Sequence, residues 1–200
     1  MYTQIAETCI AFDGNRLVAK GTVLDVVRKV KAHVDRKEDA SVLIFDAVTS
    51  KIVELDLRGT MDDAVKSVEA RLAHAGLRSG EGLEEHRGPG RPKLGVISRE
   101  VTLLPRHWKW LETQPGSASV TLRKLVEEAR KRNLDKDRIR IAQEAAYRFM
   151  NAMAGDQRGF EEALRALYAG DRERFAAQIS AWPVGVREHT EELVMAVFER

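Results

Sequence analysis

The sequence predicts an α+β protein: a duplicated ββα N-terminal domain, a basic linker, a short strand plus a helix-turn-helix pair, and a C-terminal helical bundle. Three observations predict it. The pattern G-T-x-x-D-x-V-x-x-V opens at Gly21 and again at Gly59, each time after a pair of short strand-like runs. After Leu77 the composition turns abruptly to glycine, proline and charge. From Asp135 onward, apolar residues recur at helical spacing.

In the first repeat, Ile10 to Phe12 and Leu17 to Lys20 are joined by Asp13-Gly14-Asn15, a hairpin turn signal. In the second, Ser41 to Val48 and Ile52 to Leu57 are joined through Thr49-Ser50-Lys51. Thr22 and Thr60 are expected to cap the helices that follow, with Asp25 and Asp63 reaching back to the capping residue. Gly76 is expected to end the second helix. Residues 4–77 therefore read as two ββα units packed as one sheet covered by two helices, and the domain spans 1–77. His33 and His74 lie near the helix ends without a neighbouring metal partner in sequence. Asp46 and Asp56 fit solvent-facing strand positions better than a catalytic pair, so a scaffold or partner-binding role is expected here.

Two hundred residues suffice for one large or two small cores, and 44% of them are hydrophobic. No run approaches the roughly 20 apolar residues that a membrane helix needs. The opening MYTQIAETCI lacks a basic segment followed by an apolar run. Cys9 is the single cysteine, which excludes an internal disulfide and a thiolate metal cluster. The expectation is a cytoplasmic protein with no membrane association.

The net charge of +2 is unevenly spread. Residues 87–140 hold 14 basic and 6 acidic side chains, whereas 1–86 and 141–200 each carry three more acids than bases. A basic segment between two mildly acidic ones is the distribution expected of a chain that meets a polyanion through one part.

The segment 78–95 reads as a flexible basic Gly/Pro linker. Within it Gly90-Arg91-Pro92-Lys93, with Arg87 nearby, resembles an AT-hook core. There glycine permits close approach to the minor groove, arginine enters the deepest negative potential and proline keeps the chain extended. A stiff basic linker without groove preference is the alternative. Both give a positively charged arm.

Residues 96–134 follow. Val96 to Leu104 is an extended run, Pro105 suits the first turn of a helix, and Pro115-Gly116 breaks that helix before Ser117 or Ser119 caps the next. Trp108 aligns with Leu111 and is expected to be buried, whereas Trp110 is expected to be exposed. Leu122, Leu125, Val126 and Ala129 form one apolar stripe. The run VTLLPRHWKWLETQPGSASVTLRKLVEEARKR, Val101 to Arg132, resembles a ribbon-helix-helix unit. That resemblance implies a homodimer whose paired strands enter the major groove, with Arg99, Val101 and Leu103 on the groove face. It also implies a phosphate at the start of the second helix, near Ser117, Ser119 and Val120. Because Val101 and Leu103 are apolar, charge contacts to the DNA backbone are expected rather than base reading.

In 135–200, Ile139, Ala142, Ala146, Phe149 and Met153 form one helical stripe and Phe160, Leu164, Leu167 and Tyr168 another. After Gly170-Asp171, Phe175 and Ile179 lead to Trp182-Pro183, and a last helix carries Val186, Leu193, Val194 and Val197. A helical bundle that folds onto the middle segment or pairs with another chain is expected. His189 reads as structural or exposed.

Together, GRPKLGVISREVTLLPRHWKWLETQPGSASVTLRKLVEEARKR and AAYRFMNAMAGDQRGFEEALRALYAGDRERFAAQISAWPVGVREH resemble the bacterial domain of unknown function 2239 family, DUF2239, over nearly the whole chain. The family implies no activity and no site residues. The chain lacks a phosphate loop, H-E-x-x-H, nucleophile elbow and dinucleotide fingerprint, so neither enzymatic activity nor a cofactor is expected. The expected function is a DNA-binding or chromosome-associated regulator, with Arg87, Arg91, Lys93, Arg99, Arg106, Lys109, Ser117 and Ser119 as the nucleic-acid-binding residues. The alternatives are a dimeric interaction scaffold and a small-molecule sensor or enzyme built on the N-terminal domain.

Overall fold

Cys9, Ile10, Ala11 and Phe12 are four consecutive buried residues. Side chains alternate along a strand, so such a run is buried on both faces of its sheet. The computed structural model, which describes residues 6–37, 39–80 and 97–199, places them in the middle strand. In chain order the elements are β1 (Thr8–Asp13), β2 (Arg16–Thr22), α1 (Val23–Val34), β3 (Val42–Asp46), α2 (Met61–Gly80), α3 (Pro105–Glu112), α4 (Ala118–Ala154), α5 (Phe160–Ala169), α6 (Arg172–Ile179) and α7 (Val184–Phe198). Among the described residues, three antiparallel strands and seven helices give a mixed α+β fold.

The chain divides into two compact units. The first joins Met1–Ser79 with Arg138–Arg200, and the second, Gly80–Asp137, is inserted between them. In the first unit the sheet order is β2-β1-β3. Ile10 is paired with Lys20 on one side and with Phe45 on the other. The β1–β2 hairpin turns through Gly14, whose φ of 54° lies in the left-handed region that glycine enters at little cost.

The duplication read from the sequence forms only in part. The first ββα unit is complete. In the second, the return strand expected over Ile52 to Leu57 shrinks to a bridge between Ile52 and Phe45 and a bond from the Val53 N–H to the Ile44 carbonyl. The carboxylate of Asp46 accepts the N–H groups of Val48 and Thr49, which fixes the turn. At the far end Asp56 is engaged by the Arg58 guanidinium and backbone N–H rather than by a ladder. Both capping pairs do form: the N–H of Asp25 donates to Thr22 Oγ1 and that of Asp63 to Thr60 Oγ1, while the Thr60 N–H donates to the Asp63 carboxylate. Gly76 does not stop α2, which continues to Gly80; a glycine inside a helix costs only about 1 kcal/mol relative to alanine.

One face of the sheet, carrying Cys9, Ala11, Ala19 and Ile44, packs on Val23, Val26, Val27 and Val30 of α1 and on Ala64 and Val68 of α2. Burial pushes the Cys9 thiol up to about 11, so it stays protonated. The opposite face presents Ile10, Phe12 and Phe45 and is covered by the C-terminal helices through Phe149, Met150, Leu167, Phe175, Ile179, Trp182 and Val186. These helices are expected from the sequence to fold onto the middle segment or pair with another chain; within this unit it is the apolar face of the sheet that they cover. Phe149 lies 5.4 Å from both Phe12 and Phe45, tilted to the first and edge-on to the second. Gly185 lets α7 approach closely, because a Cβ there would stand 3.3 Å from Leu17 Cβ and 3.5 Å from a Phe12 ring carbon.

The sequence placed a helix end near Arg132 and a fresh start at Asp135. Instead α4 runs unbroken for 37 residues. Asn133-Leu134-Asp135 contains no glycine or proline, and the Asn133 side-chain amide donates to the Ala129 carbonyl along the helix. The C-terminal turns are tied down by polar groups: Trp182 Nε1 donates to the Arg158 carbonyl at 3.1 Å, and Arg148 donates to the Thr49 carbonyl at 2.9 Å.

His189 on α7 is buried, 3% exposed, with its ring edge-on to Phe149 at 4.7 Å. Its Nδ1 donates to Glu192, which also accepts from Lys20 of β2, and its Nε2 has no hydrogen-bond partner. Burial lowers its pKa below the usual 6.5, although Glu192 pulls the other way.

Two predictions follow from this core. Phe149→Ala empties the contact among three aromatic rings and is expected to lower stability by about 3–5 kcal/mol, measured by urea unfolding. For His189 the unfolded chain takes up a proton near pH 6.5, before the buried ring does. Stability is therefore present above that pH and is lost as the pH falls through it. Thermal melts at pH 7.5 and 5.5 should show a larger drop for the native chain than for His189→Gln.

Candidate nucleic-acid interface

The second unit contains residues 97–137, most of the described part of the basic segment. Residues 97–104 form no regular element and belong to no strand among the described residues. Leu104 (φ −67°, ψ 150°) leads into α3, with Pro105 in the first turn as expected, since a missing N–H there forfeits no helical bond. At the far end of α3 the Thr113 hydroxyl donates to the Trp110 carbonyl at 2.7 Å. The chain then reverses through Pro115 and Gly116, and the Gly116 φ of 101° demands a glycine. The Ser117 carbonyl accepts the N–H groups of Val120 and Thr121 to start α4.

The strand expected at Val96 to Leu104 thus forms no ladder over its described residues, 97–104. A strand needs a partner for its alternate N–H and C=O groups, and no partner is present among the described residues of this chain. Along it Arg99 and Val101 are exposed and Leu103 is half-buried. Arg106 and Lys109 are exposed on α3, and their spacing of three places them on one helical face. Ser117 and Ser119 are exposed at the start of α4, and among the described residues neither hydroxyl caps the helix. The N–H groups of Ala118 and Ser119, ahead of those bonds, are consequently the ones left to an external acceptor. Arg87, Arg91 and Lys93 lie outside the described residues.

Trp108 was expected to be buried beside Leu111. Only Leu111 is buried; Trp108 is 41% and Trp110 47% exposed. The apolar stripe of α4 is open too: Leu125 and Val126 are exposed, as is Leu134 further along. A helix of eight residues offers one narrow inward-facing strip, and on α3 that strip is taken by Leu111.

Exposed cations beyond those expected accompany these residues. Arg123 and Lys124 on the first turns of α4, and Lys131, Arg132 and Lys136 further on, make no ion pair among the described residues. Arg130 is partly neutralised by Glu127 at 3.0 Å, which holds the Glu127 carboxyl below its ordinary value. Helical spacing puts Arg123 and Lys124 off the stripe of Leu122, Leu125, Val126 and Ala129, and both are exposed, although Leu125 and Val126 of that stripe are exposed as well.

Charge averaged over residues 1–86 also concealed a local concentration. Between Arg16 and Lys37 stand seven basic and two acidic side chains, and the fold gathers several of them where β2 meets α1. Elsewhere in the first unit, His74 is exposed, and His33 donates to Asp13 at 2.9 Å. Among the described residues no group of three or more His, Cys, Asp or Glu side chains is placed to hold a metal ion, and no helix is long and apolar enough to cross a membrane.

No curated protein and no solved structure matches the chain. A family model does match, over residues 8–194, and its description is an uncharacterized protein conserved in bacteria. That match takes in both compact units and nearly the whole sequence, so the chain belongs to the DUF2239 family.

Proposed function

We propose that the protein is a DNA-binding regulatory or chromosome-associated protein that holds the duplex through its second unit as a homodimer. The observation that carries this reading is the coincidence, on one short unit, of exposed cations with a non-helical segment, 97–104, that has no strand partner among the described residues. Arg99, Arg106 and Lys109 supply charge to phosphates, and the first turn of α4 near Ser117 and Ser119 supplies backbone N–H groups with the positive end of the helix dipole. Arg87, Arg91 and Lys93 add the charge of the basic linker. Pairing residues 97–104 with the same segment of a second copy satisfies the backbone groups of both and removes apolar side chains such as Val101, 55% exposed, from water. Because Val101 and Leu103 offer no donors or acceptors, affinity arises from phosphates and sequence preference is weak.

A second reading is favoured by the exposed apolar side chains of Trp108, Trp110, Leu125 and Val126. Here the unit is a protein-docking scaffold and its charge serves solubility. Salt dependence separates the two, since backbone contacts release counterions and apolar docking does not.

Binding to a mixed-sequence duplex is expected to weaken steeply as salt rises from about 50 to 200 mM, with a slope near 0.9 for each phosphate contact. The triple substitution Arg99→Ala, Arg106→Ala, Lys109→Ala should lower affinity at least about tenfold and flatten that slope. No binding at the lowest salt rejects the DNA reading. For the dimer, light scattering is expected to give twice the chain mass, and Val101→Asp should shift it toward monomer because two like charges would face each other across the paired segments.

A further inference from the structure

A hollow of about 570 Å³ opens on the first unit between the edge strand β2 and helix α1. Its wall carries the side chains of Arg16, Arg28, Lys29, His33, Arg36 and Lys37. Val18 and Ala32 supply the small apolar part of the lining. We propose that this hollow is a binding site for a compact polyphosphate anion, such as the di- or triphosphate portion of a small molecule. This proposal does not rest on the DNA reading, which concerns the other unit.

Charge is the first argument. Five permanent cations converge here, and among the described residues the acids paired with them are Asp25 and Asp13. Asp25 stands 4.0 Å from Arg28, at the limit of an ion pair. Asp13 offsets part of this charge at one rim: it accepts from His33 Nε2 at 2.9 Å, from Lys37 Nζ at 2.6 Å and from the Ser41 N–H at 3.2 Å, which leaves Arg16, Arg28, Lys29 and Arg36 as the cations open to an anion. Arg36, just past the end of α1, donates through Nε to the Ala32 carbonyl. Arg16 and Lys29 make no ion pair or hydrogen bond among the described residues. Like charges held together in a hollow repel one another, and α1 packs on the sheet through its valines rather than through Arg28 and Lys29. An anion relieves the repulsion.

The second argument is preorganisation. Asp13 lies at the end of β1 with its side chain only 9% exposed, and the bonds from Lys37 and His33 hold its carboxyl down at about 2. Being ionised at any ordinary pH, it anchors the ring of His33 and the ammonium of Lys37 on the rim. Of the remaining cations, Arg28 and Lys29 rise from one turn of α1, Arg36 from just past its end and Arg16 from the start of β2, with Ala32 leaving room between the helical ones.

The third argument is selectivity. Arginine presents a planar fork that matches two oxygens of a phosphate, and lysine adds point charge. The lining has no exposed phenylalanine, tyrosine or tryptophan on which a base would stack. Recognition accordingly falls on the phosphate groups, and several linked phosphates engage more of the cations than one. A volume of about 570 Å³ belongs to the range of small-molecule sites, roughly 300–1,000 Å³.

The test is calorimetric titration of the full chain with inorganic tripolyphosphate at about 50 mM salt, where screening is modest. Saturable one-to-one binding is expected, with inorganic monophosphate weaker. The double substitution Arg16→Gln, Lys29→Gln removes two exposed cations that hold nothing in the fold and should weaken tripolyphosphate binding by about tenfold or more. Circular dichroism and thermal melts that match the parent establish that the variant is folded. Absence of saturable binding, or binding untouched by this double substitution, overturns the proposal. The triple variant lacking Arg99, Arg106 and Lys109 should bind tripolyphosphate as the parent does, which separates failure here from failure of the DNA reading. Displacement of tripolyphosphate from that triple variant by duplex DNA would assign the hollow to the nucleic-acid backbone and overturn the small-anion assignment; persistence of the bound anion upholds it.

Discussion

Phe149 meets Phe45 edge-on and Phe12 at a tilt, and through these contacts a helix from the last third of the chain closes a sheet made by the first. The constraint behind them is the burial of β1 on both faces. Cys9 and Ala11 face the valine-rich side of α1, while Ile10 and Phe12 face the other way. A strand with apolar residues on both sides is stable only between two layers, and the N-terminal repeats supply just one. The C-terminal helices supply the other. Their aromatic and aliphatic stripes, from Phe149 to Val197, have their partner in that second face.

Much of this was legible in the sequence. Hairpin chemistry at Asp13-Gly14 and the paired Thr and Asp of each helix start work through neighbours a few residues away, and local rules recover such features. The destination of the second face did not show. Periodicity reveals that Phe149 has an inward side, but not that Phe45 lies beneath it, because that contact spans the inserted unit. The truncated second hairpin escaped for a related reason. Asp46 and Asp56 draw the local N–H groups and the Arg58 guanidinium into turn and side-chain bonds, and strand propensity over Ile52 to Leu57 does not register that competition.

The candidate interface was legible as charge and less so as geometry. Arg99, Arg106 and Lys109 are exposed, but so is Trp108, whose alignment with Leu111 had placed it in a core. A helix of only eight residues inserted in a small unit has too little neighbouring surface to bury both. The basic hollow beside β2 was hidden by averaging, because acids elsewhere in the first 86 residues outweigh its cations in any segment-wide count. Folding separates what the average had mixed: Asp46, Asp56 and Asp63 are occupied in turns and caps, while Arg16 and Lys29 face outward.

The discontinuity of the first unit has a consequence for how the chain comes into being. During synthesis the β-hairpin and α1 emerge early and can cover one another at once. Ile10, Phe12 and Phe45 must then wait, open to water, until the whole inserted unit and the start of the C-terminal helices have left the ribosome. Through that interval the nascent protein displays an aromatic surface that the finished one conceals. Its dependence on chaperones should therefore be set by the length of chain between Phe45 and Phe149 rather than by the stability of the native fold.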